Sequence, residues 1–127
     1  MQLEGDVAQA YASALEAIAR VDGEINSDES ALMRELVSKR TSAAIDYEAL
    51  FFDKITADKL AARVPAAIAR EVGRALVTDA VALATSDGDL NGAEGQAIVR
   101  FAHALGCTLE DVVGVTDELG EWLHFLG

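Results

Sequence analysis

The chain has 127 residues, a formal net charge of −12 and an isoelectric point of about 4.3. This length fits one domain with its own hydrophobic core, and the negative field repels nucleic acid phosphates and anionic membrane surfaces. Abundant alanine with a single proline favours packed helices, and no apolar run is long enough to span a bilayer. A lone cysteine rules out an internal disulfide, so we expect a soluble protein of the reducing cytoplasm.

Four helices are predicted in the first half of the chain from the helical spacing of its apolar residues. The first ends near Val21, and the second runs to about Lys39. A short third helix surrounds Leu50, and Thr56 caps a fourth that ends at Arg63. The buried face of the second helix is expected to carry Ala31, Leu32 and Leu36, with Met33 and Val37 as further candidates.

The second half of the chain is also predicted to be helical. Pro65 begins a long helix, and Gly106 closes the next one in a left-handed conformation. Two short helices follow, with N-caps at Thr108 and at either Thr116 or Asp117. No segment alternates as a strand does, so the predicted fold class is all-α in a single domain.

One octapeptide pattern occurs twice in the sequence. Residues 22–29 read DGEINSDE and residues 87–94 read DGDLNGAE, so the two copies lie about half the chain apart. Apolar positions on both sides of the two copies match as well. The sequence therefore predicts a duplicated helix–turn–helix within one domain, with repeat halves of about residues 1–62 and 63–127.

Helix capping explains most of this repeated octet. In each copy the glycine ends one helix with a positive φ, the asparagine caps the next helix, and the glutamate three residues later reaches back to the cap amide. These residues are Gly23, Asn26 and Glu29 in the first copy and Gly88, Asn91 and Glu94 in the second. The glutamate also faces the positive end of the helix dipole, which is favourable.

Capping does not explain Asp22 and Asp87, because an aspartate at a helix C-terminus faces the negative end of the dipole. Either each carboxylate folds over the amides of its own turn, or a cation lies nearby. Arg20 and Arg34 are the nearest arginines in sequence that could supply an internal positive charge.

An EF-hand is excluded by the spacing of the ligands. Residues 87–92 match the first six positions of its loop, but the twelfth position is Ile98 where a bidentate glutamate is required. The first copy has Ser27 at the glycine position and Met33 at the twelfth. An oxygen-ligand site of another geometry, with carboxylates from both turns, remains open.

The two D-G-x-[IL]-x-x-x-E turns between apolar helices, with the downstream segment 101–106, resemble the TerB-like family, named for the tellurite resistance protein TerB. The resemblance covers about residues 7–126. It implies a bundle of about seven helices with internal pseudo-twofold symmetry. It also implies a divalent cation, whether Ca, Mg, Mn or Zn, held by the acidic residues Asp22, Glu29, Asp87 and Glu94. Such domains are accessory or signalling modules in chemical-stress and phage-defence systems.

Three functions are consistent with the sequence. The first is a non-enzymatic interaction module with protein partners or a second copy of itself, tuned by a divalent cation. The second is a structural scaffold whose acidic turns only cap helices, and the third is a metal-assisted hydrolase. No catalytic triad, phosphate loop or dinucleotide motif is present. His103 and Cys107 have the spacing of one helical turn but are more typical of a helix end than of a zinc site.

Positive charge is concentrated in the middle of the chain, between residues 54 and 74. Its members are Lys54, Lys59, Arg63, Arg70 and Arg74. Acidic residues accumulate beyond residue 109, where there is no lysine or arginine. This basic stripe is either a solvated face, which is the commoner case, or a docking surface for a charged partner.

Overall fold

The computed structural model of the chain describes residues 2–21, 23, 25–86, 88, 90, 92–117 and 119, and at position 51 the backbone alone. These residues form seven α-helices and one short 3-10 helix. The α-helices are α1 (Gly5–Ala19), α2 (Ser27–Arg40), α3 (Tyr47–Phe52), α4 (Ala57–Arg63), α5 (Ala69–Ala84), α6 (Gly92–Ala104) and α7 (Leu109–Val113), and the 3-10 helix is Ala66–Ile68. None of these residues lies in a strand, which confirms the all-α fold. No helix among them is long and apolar enough to cross a bilayer.

The internal repeat is present in the backbone as well as in the sequence. α1 ends at Ala19 and α5 ends at Ala84, and these two positions are separated by the same offset as the two octets. α2 begins at Ser27 and α6 begins at Gly92, which have that offset again. The predicted duplication of a helix–turn–helix is therefore confirmed.

Both halves of the chain contribute to one hydrophobic core. α1 packs against α2, α4, α5 and α6, and the most extensive helix–helix contact is between α5 and α6. The largest fully buried side chains include Tyr11, Leu15, Ile18 and Leu60 from the first half and Leu76, Leu83 and Ile98 from the second. Small alanines between these large residues on α1 and α5 let the helix backbones approach closely.

Local capping fixes where the short helices begin. The Thr56 hydroxyl accepts a hydrogen bond of 3.2 Å from the amide three residues later, and Thr108 and Asp111 form a capping box at the start of α7. Both N-caps were predicted. α3 begins after Asp46, whose carboxylate accepts from the amide of Ala49 at 3.2 Å. This cap was not predicted from the sequence.

The buried face of α2 differs from the predicted one. Met33 and Val37 are buried, Leu32 and Leu36 are half-buried, and Ala31 is exposed. α2 is more polar than α1, α5 and α6 and makes its extensive contacts only with α1 and α5. A helix that touches the core along one i, i+4 line buries a narrow stripe, so the neighbouring leucines are only partly covered.

The prediction that Pro65 begins the long helix is wrong, because an extra turn separates the two. Pro65 has an extended ψ of 136° and precedes the 3-10 helix, and α5 begins at Ala69. The break lies at Ile68, with φ −118° and ψ 3°, whose side chain packs against the core. Proline fixes φ but not ψ, so its position in the sequence did not reveal this extra turn.

The helix predicted to follow Thr116 or Asp117 falls mostly outside the described residues, and Trp122 and His124 lie outside them as well. Leu119 is described and is fully buried. The prediction of this last helix therefore stays a prediction.

Candidate functional site

The described glycines of the two acidic turns share one backbone feature. Gly23 has a φ of 147° and Gly88 a φ of 155°, the positive values predicted for both. In each turn the glycine amide donates to the carbonyl three residues before it, at 3.1 Å from Gly23 to Arg20 and at 3.4 Å from Gly88 to Thr85. The repeated sequence thus produces the same helix ending twice.

A capping box closes the first turn. The Asn26 side-chain oxygen accepts from the amide of Glu29 at 2.8 Å, and a Glu29 carboxylate oxygen accepts from the Asn26 amide at 3.2 Å. This arrangement confirms the predicted cap of α2. One oxygen of the Glu29 carboxylate is therefore already engaged with the helix end.

Two of the four predicted cation ligands can be placed. Glu29 and Glu94 are the third residues of α2 and α6, and Glu94 is buried whereas Glu29 is half-buried. Asp22, Asp87 and the second cap residue Asn91 lie outside the described residues. The predicted convergence of the four carboxylates therefore stays a prediction.

Each of the two arginines considered as internal counter-ions has a partner among the described residues. The Arg20 Nε donates to Glu16 Oε1 at 2.9 Å within α1. The Arg34 guanidinium lies over the ring of Tyr47, with 4.4 Å between its central carbon and the ring centroid.

His103 and Cys107 differ in exposure. His103 is exposed in the last turn of α6, whereas Cys107 follows the left-handed Gly106 (φ 83°) and is buried. Burial raises the pKa of the Cys107 thiol to about 11, which keeps it protonated at neutral pH. Within the described part of the chain, no three His, Cys, Asp or Glu side chains cluster as metal ligands.

A buried polar network that was not predicted from the sequence joins three helices. Tyr11 of α1 donates to Asp79 of α5 at 2.5 Å, and Arg40 at the end of α2 donates to both oxygens of the same carboxylate at 2.9 Å. Burial raises the pKa of Tyr11 well above its ordinary value, and the hydrogen bonds to Asp79 raise the pKa of Arg40. Asp79 interrupts the apolar stripe of α5, and this was the signal available in the sequence.

The basic stripe is partly neutralised by ion pairs within the protein. Arg70 donates to both oxygens of Asp111, at 3.1 and 2.9 Å. Arg63 contacts Asp6 at 3.2 Å and Asp53 at 3.5 Å. These long-range partners hold both arginines in place, but the Arg70 side chain is still 64% exposed, so the choice between a solvated face and a docking surface stays a prediction.

The chain matches a known protein family. A family model described as "Tellurite resistance protein TerB" matches residues 8–116. This range includes nearly all of α1, all of α2 to α7 and both acidic turns. No curated protein and no solved structure gives a significant match to the chain.

Proposed function

Because the chain belongs to the family of the tellurite resistance protein TerB, we propose that it is a non-enzymatic accessory module of a stress-response or defence system. Its two acidic turns would hold a divalent cation, and the bundle would present a surface to a protein partner or to a second copy of the chain. TerB is not a known enzyme family, which fits this role.

The observation that carries the proposal is the duplication of the acidic turns in the sequence, together with the matching positions of their described residues in the structure. Gly23 and Gly88 share a positive φ, and Glu29 and Glu94 occupy the same position in the helices that follow. A packed core requires neither aspartate of the motif, yet both copies keep one before the glycine. Carboxylate oxygens are the donors that Ca²⁺, Mg²⁺ and Mn²⁺ prefer, so the donor set fits such an ion.

Charge supports the same conclusion. The chain carries a net charge of −12, and four carboxylates near one point would repel one another strongly. A bound divalent cation would relieve that repulsion. We expect weak binding, roughly 10⁻⁵ to 10⁻³ M, because neither turn has the bidentate glutamate of a complete EF-hand loop.

A structural role is the second candidate, and one observation favours it. The Glu29 carboxylate accepts from the Asn26 amide, so at least one of the four acidic residues already stabilises a helix end. In this alternative the acidic turns only cap helices, and adding metal leaves the protein unchanged.

Thermal unfolding of the double variant Asp22→Asn/Asp87→Asn, with EDTA and with each of Ca²⁺, Mg²⁺, Mn²⁺ and Zn²⁺, separates the two candidates. Wild-type protein should gain about 2.7 kcal/mol at 100 times the dissociation constant of a specific ion. The double variant should lose this gain and should be more stable than wild type in EDTA. Capping alone predicts that the variant is less stable in both conditions.

A matched control removes two carboxylates that are not part of the proposed site. Asp28 and Asp58 are both exposed second residues of their helices, so Asp28→Asn/Asp58→Asn makes the same change of net charge. This control should keep the full response to metal. If calorimetry detects no heat for any of the four ions at millimolar concentration, the cation site is wrong and only the scaffold role remains.

A further inference from the structure

A cavity of about 590 Å³ lies beside the first acidic turn, between α1 and the segment that joins α3 to α4. Ala17, Leu50 and Ile55 make its wall largely apolar. Two exposed residues, Lys54 and Thr56, also line it. A recess of this size holds a small molecule or an inserted side chain, and its wall favours an apolar occupant.

An exposed aromatic side chain belongs to the same segment of the chain. Phe52 is the last residue of α3, and 79% of it is exposed, the highest fraction among the large apolar side chains that the structure describes. It lies two residues after Leu50 and two before Lys54, both of which line the cavity. A single exposed apolar residue is common, but an aromatic one in a segment that also lines an apolar recess is typical of a protein–protein contact.

The exposed ring and the cavity together make this surface self-complementary. Phe52 does not fill the cavity of its own copy, since most of its side chain is exposed. Residues 50–56 therefore carry both a projecting ring and part of a recess. Two copies related by a twofold axis can exchange these parts, with Phe52 of each copy entering the cavity of the other. Such a contact is closed, so assembly stops at two copies.

The charges beside the ring and the cavity are complementary. Glu48 is exposed and lies one helical turn before Phe52 on α3, whereas the exposed Lys54 lines the cavity. Glu16 and Arg20 of the wall are paired with each other, so their charges largely cancel. Insertion of the ring would bring Glu48 of one copy toward Lys54 of the other, and the twofold axis would form this pair twice.

We propose that the chain forms a twofold-symmetric dimer in which Phe52 of each copy occupies the apolar cavity of the other. The dimer rests on the proposed function, in which a second copy is one of the partners, but it does not require the cation. An aromatic side chain buries about 150–250 Å², so two of them with the walls that they cover make a small interface. We expect a dissociation constant of roughly 10⁻⁶ to 10⁻⁴ M.

Analytical ultracentrifugation of the full chain in EDTA, from about 1 μM to about 1 mM, tests the dimer without involving the cation. The average mass should rise from 13.4 kDa toward twice that mass and no further. Phe52→Ala should weaken association about tenfold or more, whereas Val113→Ala, which trims a 53% exposed side chain of α7, should associate as wild type does. A wild-type chain that stays monomeric or grows beyond two copies, or unchanged association of Phe52→Ala, would overturn the dimer and leave the cation site untouched.

Exchanging the two charges tests how the copies are placed. Glu48→Lys and Lys54→Glu each bring like charges together twice per dimer, so each should weaken association about fivefold or more. The double variant Glu48→Lys/Lys54→Glu restores opposite charges and should recover most of the wild-type association. Lys59→Glu is the matched control, because Lys59 is exposed on α4 and does not line the cavity. A double variant no better than the single ones would contradict the pairing.

Mixing two defective variants tests whether the exchange is reciprocal. Ala17→Met narrows the cavity but keeps the ring of Phe52, whereas Phe52→Ala removes the ring but keeps the cavity. Each variant alone should associate about tenfold more weakly than wild type, and an equimolar mixture should associate more tightly than either, because one intact contact remains. No gain on mixing would exclude the exchange. Phe52 and Lys54 are exposed, so their variants keep the test decisive if Ala17→Met folds poorly.

Discussion

Two glycines with positive φ, at the acidic turns, and one ionised aspartate, at the start of α7, stabilise the local structure around them. A Cβ added at Gly23 or at Gly88 would meet no atom within 4 Å, so space is available at both positions. Their positive φ values, however, are ones that side chains with a Cβ rarely adopt. Any penalty at these positions is therefore torsional and does not come from crowding.

Gly23→Ala and Gly88→Ala should each lower the free energy of unfolding by about 1 kcal/mol or more, since alanine disfavours the required φ. Urea denaturation of the two variants measures this change. Gly5→Ala is the matched control, because Gly5 also has open space around a Cβ but has no positive φ. Equal losses in all three variants would mean that the turn conformation is not the cause.

Asp111 should stabilise the protein only while it is ionised. Hydrogen bonds from Arg70, and to a smaller extent the one from the Thr108 amide, lower the pKa of Asp111 from 3.8 to about 2. A lowered pKa in the folded state contributes stability that is complete above the unfolded pKa and is lost as the pH falls through the folded pKa.

The destabilisation caused by Asp111→Asn should accordingly be constant above the ordinary pKa of 3.8 and should shrink toward zero as the pH approaches 2. Unfolding temperatures of wild type and variant across this range measure the difference. Arg70→Met should show the same narrowing, because it removes the main cause of the lowered pKa. A difference that is independent of pH would exclude ionisation of Asp111 as its origin.

At the level of helices, the sequence predicts a feature when the interactions that produce it lie within one helical turn. The start of α4 follows from Thr56 and that of α7 from Thr108, because each cap acts within one turn. The inward face of α2 and the break at Ile68 depend on neighbouring helices, and no pattern in a single segment reports them. The Tyr11–Asp79–Arg40 network likewise joins residues from three separate segments.

Arg40→Met should destabilise the protein by about 2 kcal/mol or more, since it leaves Asp79, only 4% exposed, without its positive partner. The change is measured by chemical denaturation at neutral pH. Arg63→Met is the matched control, because the partners of Arg63 are more exposed and such pairs contribute about 1 kcal/mol or less. Similar losses for the two variants would argue against a special role for the buried network.

Across the whole molecule, the repeat was evident from the sequence because the octet and its flanking helices recur with one offset. The departures from that repeat could not be predicted, because they lie in the packing between the halves. Glu16 and Val81 occupy equivalent positions, yet one is a carboxylate paired with Arg20 and the other is an aliphatic core residue. Of the candidate cation site, the sequence predicted the positive φ of Gly23 and Gly88 and the capping role of Glu29.

The two halves, about residues 1–62 and 63–127, should not fold independently, although each contains a complete helix–turn–helix. α1 packs on α5 and α6, α4 packs on α6, and the bonds from Tyr11 and Arg40 to Asp79 also cross the boundary. Each isolated half would expose the apolar face that the other covers, and a chain of about 60 residues is marginal even with its core intact.

Circular dichroism of the separate fragments should therefore show no cooperative thermal transition. An equimolar mixture should regain helicity and a cooperative transition, whereas a fragment carrying Asp79→Lys should not restore it, because a positive charge would face Arg40 in the core. A half that unfolds cooperatively by itself would show that the repeat is a pair of autonomous units and not one shared core.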